Sequence, residues 1–239
     1  MSLLKYITIN DTALSEFDSI TKWGSSTFEA SSAASMRLRG TLGARTTIVG
    51  TDPAYGVVNL AHALGPGQSI ALGLRYCQRA APSTNAMIAV FRGTGPVPIY
   101  VRYNGAYTEI RGWSTGAGFL SDALVVPSND AWHYIAIVYT RATSVLASDG
   151  IARGWVDRTL VGEITGINNY VLAETISHLE MGGVSSVSDG FRGDIDEIKV
   201  GTDIPAVMPY RPYQQGPAFS AVQPSTVTGV IGAHRLLRK

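Results

Sequence analysis

From about residue 68 onward, apolar side chains recur at every second position in short runs, and that period specifies β-strands. In Gln68–Gln78, Ile70, Leu72, Leu74 and Tyr76 fall on one face, while Gly73, Arg75 and Cys77 fall on the other. Ala86–Phe91 is apolar on both faces, as expected of a strand enclosed between two layers. Trp132–Arg141 is a second two-faced run, with Ile135 and Ile137 on one side and Tyr134, Ala136 and Val138 on the other. Ile99–Tyr103 and Tyr107–Ile110 flank Asn104-Gly105-Ala106, a hairpin signal because Asn and Gly both tolerate positive φ. Further strands are expected at Arg153–Val156, Thr159–Ile164, Ser177–Met181 and Phe191–Val200. Amphipathic helix periodicity is absent, and short strands at roughly 8–12-residue spacing point to a sandwich or barrel.

The first 67 residues carry a weaker pattern. Lys5–Ile9, Ser35–Arg39 and Arg45–Val49 read as strands and Ser25–Ser35 as a small-residue loop, together forming outer strands of the same sandwich. After Gly201 the composition changes: Pro205, Pro209, Pro212, Pro217 and Pro224 alternate with Tyr210, Tyr213 and Phe219. Proline removes ladder donors and holds backbone extended, so 202–239 is expected to be an arm and 1–201 the sandwich, with 68–200 its best-patterned part. The arm carries +3 and the rest −2, within a chain of net charge +1.

That balance excludes a nucleic-acid binder of the usual kind, which needs a concentrated basic patch. With 45% hydrophobic and 15% charged residues, 239 residues can bury a sizeable core without staples. The lone cysteine, Cys77, forms no internal disulfide and is expected to be a small buried hydrophobe. No stretch approaches the apolar length of a membrane helix. Met1–Ile9 turns polar at Asn10 and Asp11 and lacks both the apolar stretch and the cleavage site of a signal peptide, so synthesis in the cytoplasm is expected.

Four segments in order resemble the laminin-G-like branch of the concanavalin-A-like jelly rolls. They are Trp132-His133-Tyr134-Ile135-Ala136, Trp155-Val156-Asp157, Leu179-Glu180-Met181-Gly182-Gly183 and Phe191-Arg192-Gly193-Asp194-Ile195-Asp196-Glu197-Ile198. The resemblance implies an all-β antiparallel jelly-roll sandwich. It departs at Asp157-Arg158, where the family has Asp-Gly, so a different turn type is expected there. Members of the family include sugar-binding modules, adhesion domains, glucanases and viral structural proteins, so function has to be argued from the site.

Asp194, Asp196 and Glu197 invite a glycosidase reading. Related laminarinase-like enzymes use Glu-x-Asp-x-x-Glu, and retaining enzymes hold two carboxyl groups about 5–5.5 Å apart. This chain has Asp-Ile-Asp-Glu-Ile-Lys, and the near miss at Glu16-Phe-Asp18 has Thr21 where the second Glu belongs. No catalytic residue is assigned. The apolar parity instead switches between Ile195 and Ile198, which predicts a β-bulge braced by these carboxylates. Arg192-Gly193-Asp194 spells an integrin-type tripeptide, but it lies in a predicted strand rather than an exposed loop. His62, His133, His178 and His234 are scattered without metal-ligand spacing, and His133 reads as structural. Asp52, Asp149 and Asp189 could offer rim calcium ligands, but no EF-hand-like run of oxygen ligands accompanies them and they read rather as turn braces, so the metal assignment stays open and no cofactor is expected. Gly93-Thr94-Gly95 and Gly65-Pro66-Gly67 lack the rest of a phosphate-binding fingerprint.

Two partner surfaces are expected. Tyr103, Tyr107 and Trp113 on or near the hairpin offer an aromatic platform for a sugar ring, set against the commoner role of such residues in cores. In the arm, Tyr210, Tyr213, Phe219, Ile231, Leu236 and Leu237 offer anchors, with Arg235 and Arg238 beside them for an acidic edge. A leaderless jelly roll with a docking arm suits a virion structural protein, a capsid-decorating or tail component of a tailed phage. Its expected partners are capsid or tail proteins and further copies of itself. The alternative is a carbohydrate- or receptor-binding module, an adhesin, whose partner is a surface glycan. A glycoside hydrolase is the third reading.

Overall fold

The computed structural model describes residues 2–32, 42–47, 52, 54–79, 86–93, 99–103, 108–114, 118–124, 131–167, 175–182 and 192–208. The strands are β1 (Leu3–Ile7), β2 (Ser19–Lys22), β3 (Thr27–Ser31), β4 (Gly43–Thr47), β5 (Ala54–Ala63), β6 (Ser69–Gln78), β7 (Ala86–Gly93) and β8 (Ile99–Tyr103). They continue as β9 (Thr108–Ser114), β10 (Gly118–Leu124), β11 (Trp132–Thr140), β12 (Gly150–Val156), β13 (Thr159–Ile167), β14 (Thr175–Met181) and β15 (Gly193–Gly201), followed by a single helical turn, α1 (Ile204–Val207). Among the described residues, one sheet has eight strands, ordered β13-β12-β11-β6-β15-β4-β3 with β1 also paired to β15. The other has seven, ordered β10-β9-β8-β7-β14-β5-β2. Every pairing is antiparallel. The chain crosses repeatedly from one sheet to the other, which makes the molecule an antiparallel jelly-roll β-sandwich.

The period-two reading places the core correctly. Ile70, Leu72, Leu74 and Tyr76 of β6 meet Ile135 and Ile137 of β11, together with Ile88, Phe91, Ile176 and Leu179 from the opposite sheet. Tyr134, Ala136 and Val138 face the other way and form a second apolar cluster with Ala71. Ile135 is fully buried, whereas Trp132 is only half-buried. Cys77 is buried and forms no disulfide. Four strands carried too little alternation to be read: β2, β3, β5 and β10. β3 lies inside the stretch expected to be a loop, where Phe28, enclosed edge-on against Phe17, supplies an apolar anchor that the small neighbours obscure. The expected strand at Ser35–Arg39 lies outside the described residues.

Two local features correct the sequence reading. The first follows Gly201. The segment does not begin as an extended arm: Ile204–Val207 form one helical turn, with Asp203 as N-cap accepting from the Ala206 N–H (2.9 Å) and Pro205 early in the turn, where its missing donor costs nothing. Val207 is wholly buried and completes the second cluster with Ile204, Ala206 and Met208 packed around it. The Tyr134 hydroxyl donates to the Val207 carbonyl. Gly73 lies beneath, and a Cβ there would collide with both of those oxygens. The remainder of the arm, including Tyr210, Tyr213, Phe219, Ile231, Arg235, Leu236, Leu237 and Arg238, lies outside the described residues.

The second feature is the β12–β13 hairpin. Val156 pairs with Thr159, so Asp157-Arg158 is a two-residue loop, and both residues have positive φ (48° and 76°). This is the type I′ pattern that matches strand twist, and it normally calls for glycine at the second position. Asp157 compensates locally. Its Oδ1 accepts from the Tyr134 N–H (2.9 Å), its Oδ2 contacts His133 Nδ1 (2.8 Å), and its own N–H donates to the Tyr134 carbonyl (2.9 Å). Among the described residues Arg158 has no such tie, and it holds a left-handed conformation disfavoured for a residue with a Cβ.

Two stability experiments follow. Arg158→Gly should stabilise the protein by about 1 kcal/mol, seen as a rise of about 2–4 °C in Tm. A chain ending at Gly201 should be about 3 kcal/mol less stable to urea than one ending at Pro209, because it exposes the cluster that Ile204 and Val207 cover. Equal urea midpoints for the two chains would show that α1 contributes nothing.

Candidate functional site

β15 runs through the middle of the eight-stranded sheet, and its acidic residues meet the basic residues of its neighbours. The predicted bulge is present: Asp196 stands opposite Arg75 and Lys199 opposite Gly73, so β15 spends one residue more than β6. Glu197 takes the strained position with φ 47°, and Asp196 Oδ1 accepts its N–H at 2.8 Å. The extra residue lets Ile195 and Ile198 both enter the core while Asp194, Asp196 and Glu197 lie on the outer face.

Each of these acids is held. Glu197 accepts from Arg75 Nε (2.6 Å) and pairs with Lys199 Nζ (3.0 Å). The Arg75 guanidinium lies over the Tyr134 ring, 5.1 Å from its centroid. Burial pushes the Tyr134 hydroxyl well above the ordinary tyrosine range, which keeps it a donor to Val207. Asp194 has no exposed surface, and it accepts from Arg45 through Nε (2.7 Å) and Nη2 (3.0 Å) and from Arg79 through Nε (2.7 Å). A buried carboxylate requires such pairing, since desolvation alone would be prohibitive. The same burial removes Asp194 from any role in an Arg192-Gly193-Asp194 recognition loop.

The arginines that grip Asp194 remain about one-third exposed. With Thr46, Thr47, Arg192 and Gly193 they line a recess of about 300 Å³ where β6 ends, β15 begins and β4 runs alongside. The Arg79 N–H donates to the Arg192 carbonyl (3.1 Å), tying the two rims together. Sequence reasoning missed this recess because its three arginines lie in separate segments, and only the β4–β15–β6 pairing brings them together. The paired register Arg45–Asp194–Cys77 was the missing information.

A second polar group occupies the seven-stranded sheet. Glu180 accepts from Arg92 Nε (3.1 Å), and its other oxygen lies 3.4 Å from His178 Nε2. Ser177 Oγ lies 2.8 Å from His178 Nδ1, which gives a serine, histidine and glutamate in sequence. The hydroxyl, however, donates to the Arg92 carbonyl (3.1 Å). A hydroxyl has one proton to give, so the ring nitrogen is then the donor in its contact with Ser177. That is the reverse of an activated nucleophile.

The remaining candidates are placed as follows. Tyr103 pairs with Thr108 and Ile99 with Gly112, so Tyr103 and Trp113 stand at opposite ends of the β8–β9 ladder, roughly 17 Å apart along the strands. Tyr107 and Asp189 lie outside the described residues. Asp149 braces its own loop, accepting from the Thr143 N–H (2.9 Å) and hydroxyl (2.6 Å), and these bonds hold its carboxyl below the ordinary range. Among the described residues, no three His, Cys, Asp or Glu side chains gather as a metal site.

Burial opposes ionisation of Glu197, but Arg75 and Lys199 outweigh it and hold its carboxyl below the usual value. Asp157 behaves alike: burial opposes its charge, while His133 and the Tyr134 N–H more than offset this. Groups with folded pKa values depressed below their unfolded values, near 4, stabilise the fold above that pH. The stabilisation is lost as pH falls through the folded values. The urea midpoint should therefore drop as pH falls below about 4. Glu197→Gln should cost about 3 kcal/mol at pH 7 by removing the carboxylate that Arg75 and Lys199 share, and should make the acid-side fall shallower. An unchanged acid-side slope would show that Glu197 is not one of the groups responsible.

No protein-family profile matches the chain, and no curated protein matches it by sequence. Solved structures do. An endo-β-1,4-glucuronan lyase from the fungus Trichoderma reesei is 17% identical with a TM-score of 0.61, over 85% of this chain and 97% of its own. Domain 4 of the extracellular arabinanase AbnA from Geobacillus stearothermophilus, in complex with arabinotriose, is 13% identical with a TM-score of 0.53, over 84% and 92%. The binding domain of botulinum neurotoxin DC, in complex with SialylT, is 7% identical with a TM-score of 0.54, over 85% of this chain and 47% of its own. At these identities the likeness establishes the fold, the antiparallel jelly-roll sandwich, and no more.

Proposed function

We propose that this protein is a non-enzymatic glycan-binding module. The observation that carries the reading is the state of its acidic residues. Asp194 and Glu197, on the strand that invites a glycosidase interpretation, are fixed in arginine and lysine pairs. What they leave at the surface is a recess bordered by Arg45, Arg79, Arg192 and two threonines, with the stems of these side chains as apolar walls. Sugar hydroxyls and ring substituents are read by such fixed polar groups, whereas glycoside cleavage needs a free acid and a free nucleophile. The fold likeness is compatible with this, since the proteins named above act on glucuronan or are seen with arabinotriose and SialylT.

The second reading is a virion component that docks through its arm. It rests on the proline and aromatic composition of 202–239. The two readings meet in an adhesin, which recognises a glycan with its sandwich and joins an assembly through the arm.

Titration calorimetry with the full chain against a panel of neutral and acidic oligosaccharides should detect binding to at least one glycan. Incubation with laminarin and with each bound glycan should release no reducing ends. Turnover that disappears in Asp196→Ala would overturn the non-enzymatic reading, and absence of binding across the panel would overturn the glycan reading.

A further inference from the structure

We infer that the turn between β2 and β3 is a sugar platform, where Trp23 stacks against one ring of an uncharged glycan and Asp52 accepts from its hydroxyls. This rests on the glycan-binding reading; it places the contact and names the class of glycan.

The first argument is presentation. Trp23 is 60% exposed, yet its backbone is fixed. Its carbonyl accepts from the Ser26 N–H (3.1 Å), which closes a four-residue turn, and Ser26 itself is buried. Gly24, the first central residue, has φ 56°, and a Cβ there would collide with Oδ2 of Asp52. β2 belongs to the seven-stranded sheet and β3 to the eight-stranded one, so the turn is anchored in both layers. The indole is offered from backbone already ordered, which lowers the entropy lost on binding. The second argument is chemistry. Asp52 lies against the turn and, among the described residues, enters no ion pair or hydrogen bond, whereas Asp194 and Glu197 are held by cations. A carboxylate accepts the hydroxyl protons of a sugar and repels the carboxylate of an acidic one. The negative face of the indole meets the polarised C–H groups of a pyranose ring, and its Nε1–H adds a donor. The third argument is scale. One tryptophan side chain buries about 150–250 Å², against about 800 Å² per partner at a stable protein interface. The other exposed large apolar side chains among the described residues lie elsewhere. Leu3 pairs with Gly201 at the far end of β15, Val145 and Leu146 follow β11, and Leu160 is on β13 at the opposite edge of the sheet from β3. A solitary indole beside an uncommitted carboxylate matches one sugar ring better than a protein surface.

The test titrates the full chain calorimetrically with laminaripentaose, cellopentaose, mannopentaose and arabinopentaose, and with polyglucuronate as the acidic comparison. Binding is expected to at least one neutral oligosaccharide, and more weakly or not at all to polyglucuronate. Trp23→Ala should weaken the neutral binding about tenfold or more, as expected for loss of a tryptophan anchor, with Tm unchanged because the side chain is mainly solvated. Trp23→Phe, which keeps a smaller aromatic face, should fall between. Asp52→Ala should weaken binding about tenfold, as expected for loss of a hydrogen bond to a charged group. Should Trp23→Ala lower the Tm, the NMR resonance of the Trp23 indole N–H, identified by its absence from Trp23→Phe, decides: it should shift as sugar is added. An unmoved resonance, or unchanged affinity in Trp23→Ala, would leave glycan binding standing and overturn this site. Preference for polyglucuronate over every neutral probe would overturn the uncharged class. Failure of all probes would remove the glycan reading and this inference with it.

Discussion

The molecule depends on a buried carboxylate that cannot stand alone. Asp194 sits at the middle of the eight-stranded sheet with no exposed surface, and only charged partners make that position tolerable. Its two arginines come from β4 and from the residue just after β6, the strands on either side of β15, so satisfying one side chain also ties three strands together. The bulge one turn of pleat further on serves the same end. By giving Glu197 a left-handed residue's geometry, it keeps Ile198 in the core and turns a second carboxylate toward Arg75. Ionic pairing on the outer face and apolar packing on the inner face are thus joined by one irregularity in the strand.

Much of this was legible before any coordinates. Alternation in Gln68–Gln78 and Trp132–Arg141 identified both faces of two central strands, because their two sides are buried by different clusters. The shift of parity between Ile195 and Ile198 located the bulge for the same reason. The outer strands were less legible, and β3 is the clearest case. Thr27–Ser31 owes its place to one enclosed phenylalanine and to pairing with β4, and pairing partners leave little mark on a segment of small residues. The single turn after Gly201 was hidden by its proline, which marks an extended chain in one setting and the start of a helix in another.

The candidate site was harder to anticipate than the fold. Arg45, Arg79 and Arg192 are distant in sequence and carry no motif, and their meeting is a property of strand order. The residues that do form a recognisable run, Asp194 to Glu197, turned out to act as the scaffold beneath the site. Aromatic residues grouped by sequence proximity fared similarly, since an antiparallel ladder carries Tyr103 and Trp113 apart along its length. Local pattern determines which face a residue occupies, while juxtaposition across strands needs the register.

Cys77 has a consequence of a different kind. It lies in the row between Trp132 and Asp194, buried, reduced and shared by the three most central strands of its sheet. A thiol reagent reaches it when the side chains that cover this face of β6 move aside, so the rate of its modification reports how often the outer face opens there. The chain thus carries an intrinsic chemical clock next to the ion pairs that support the recess.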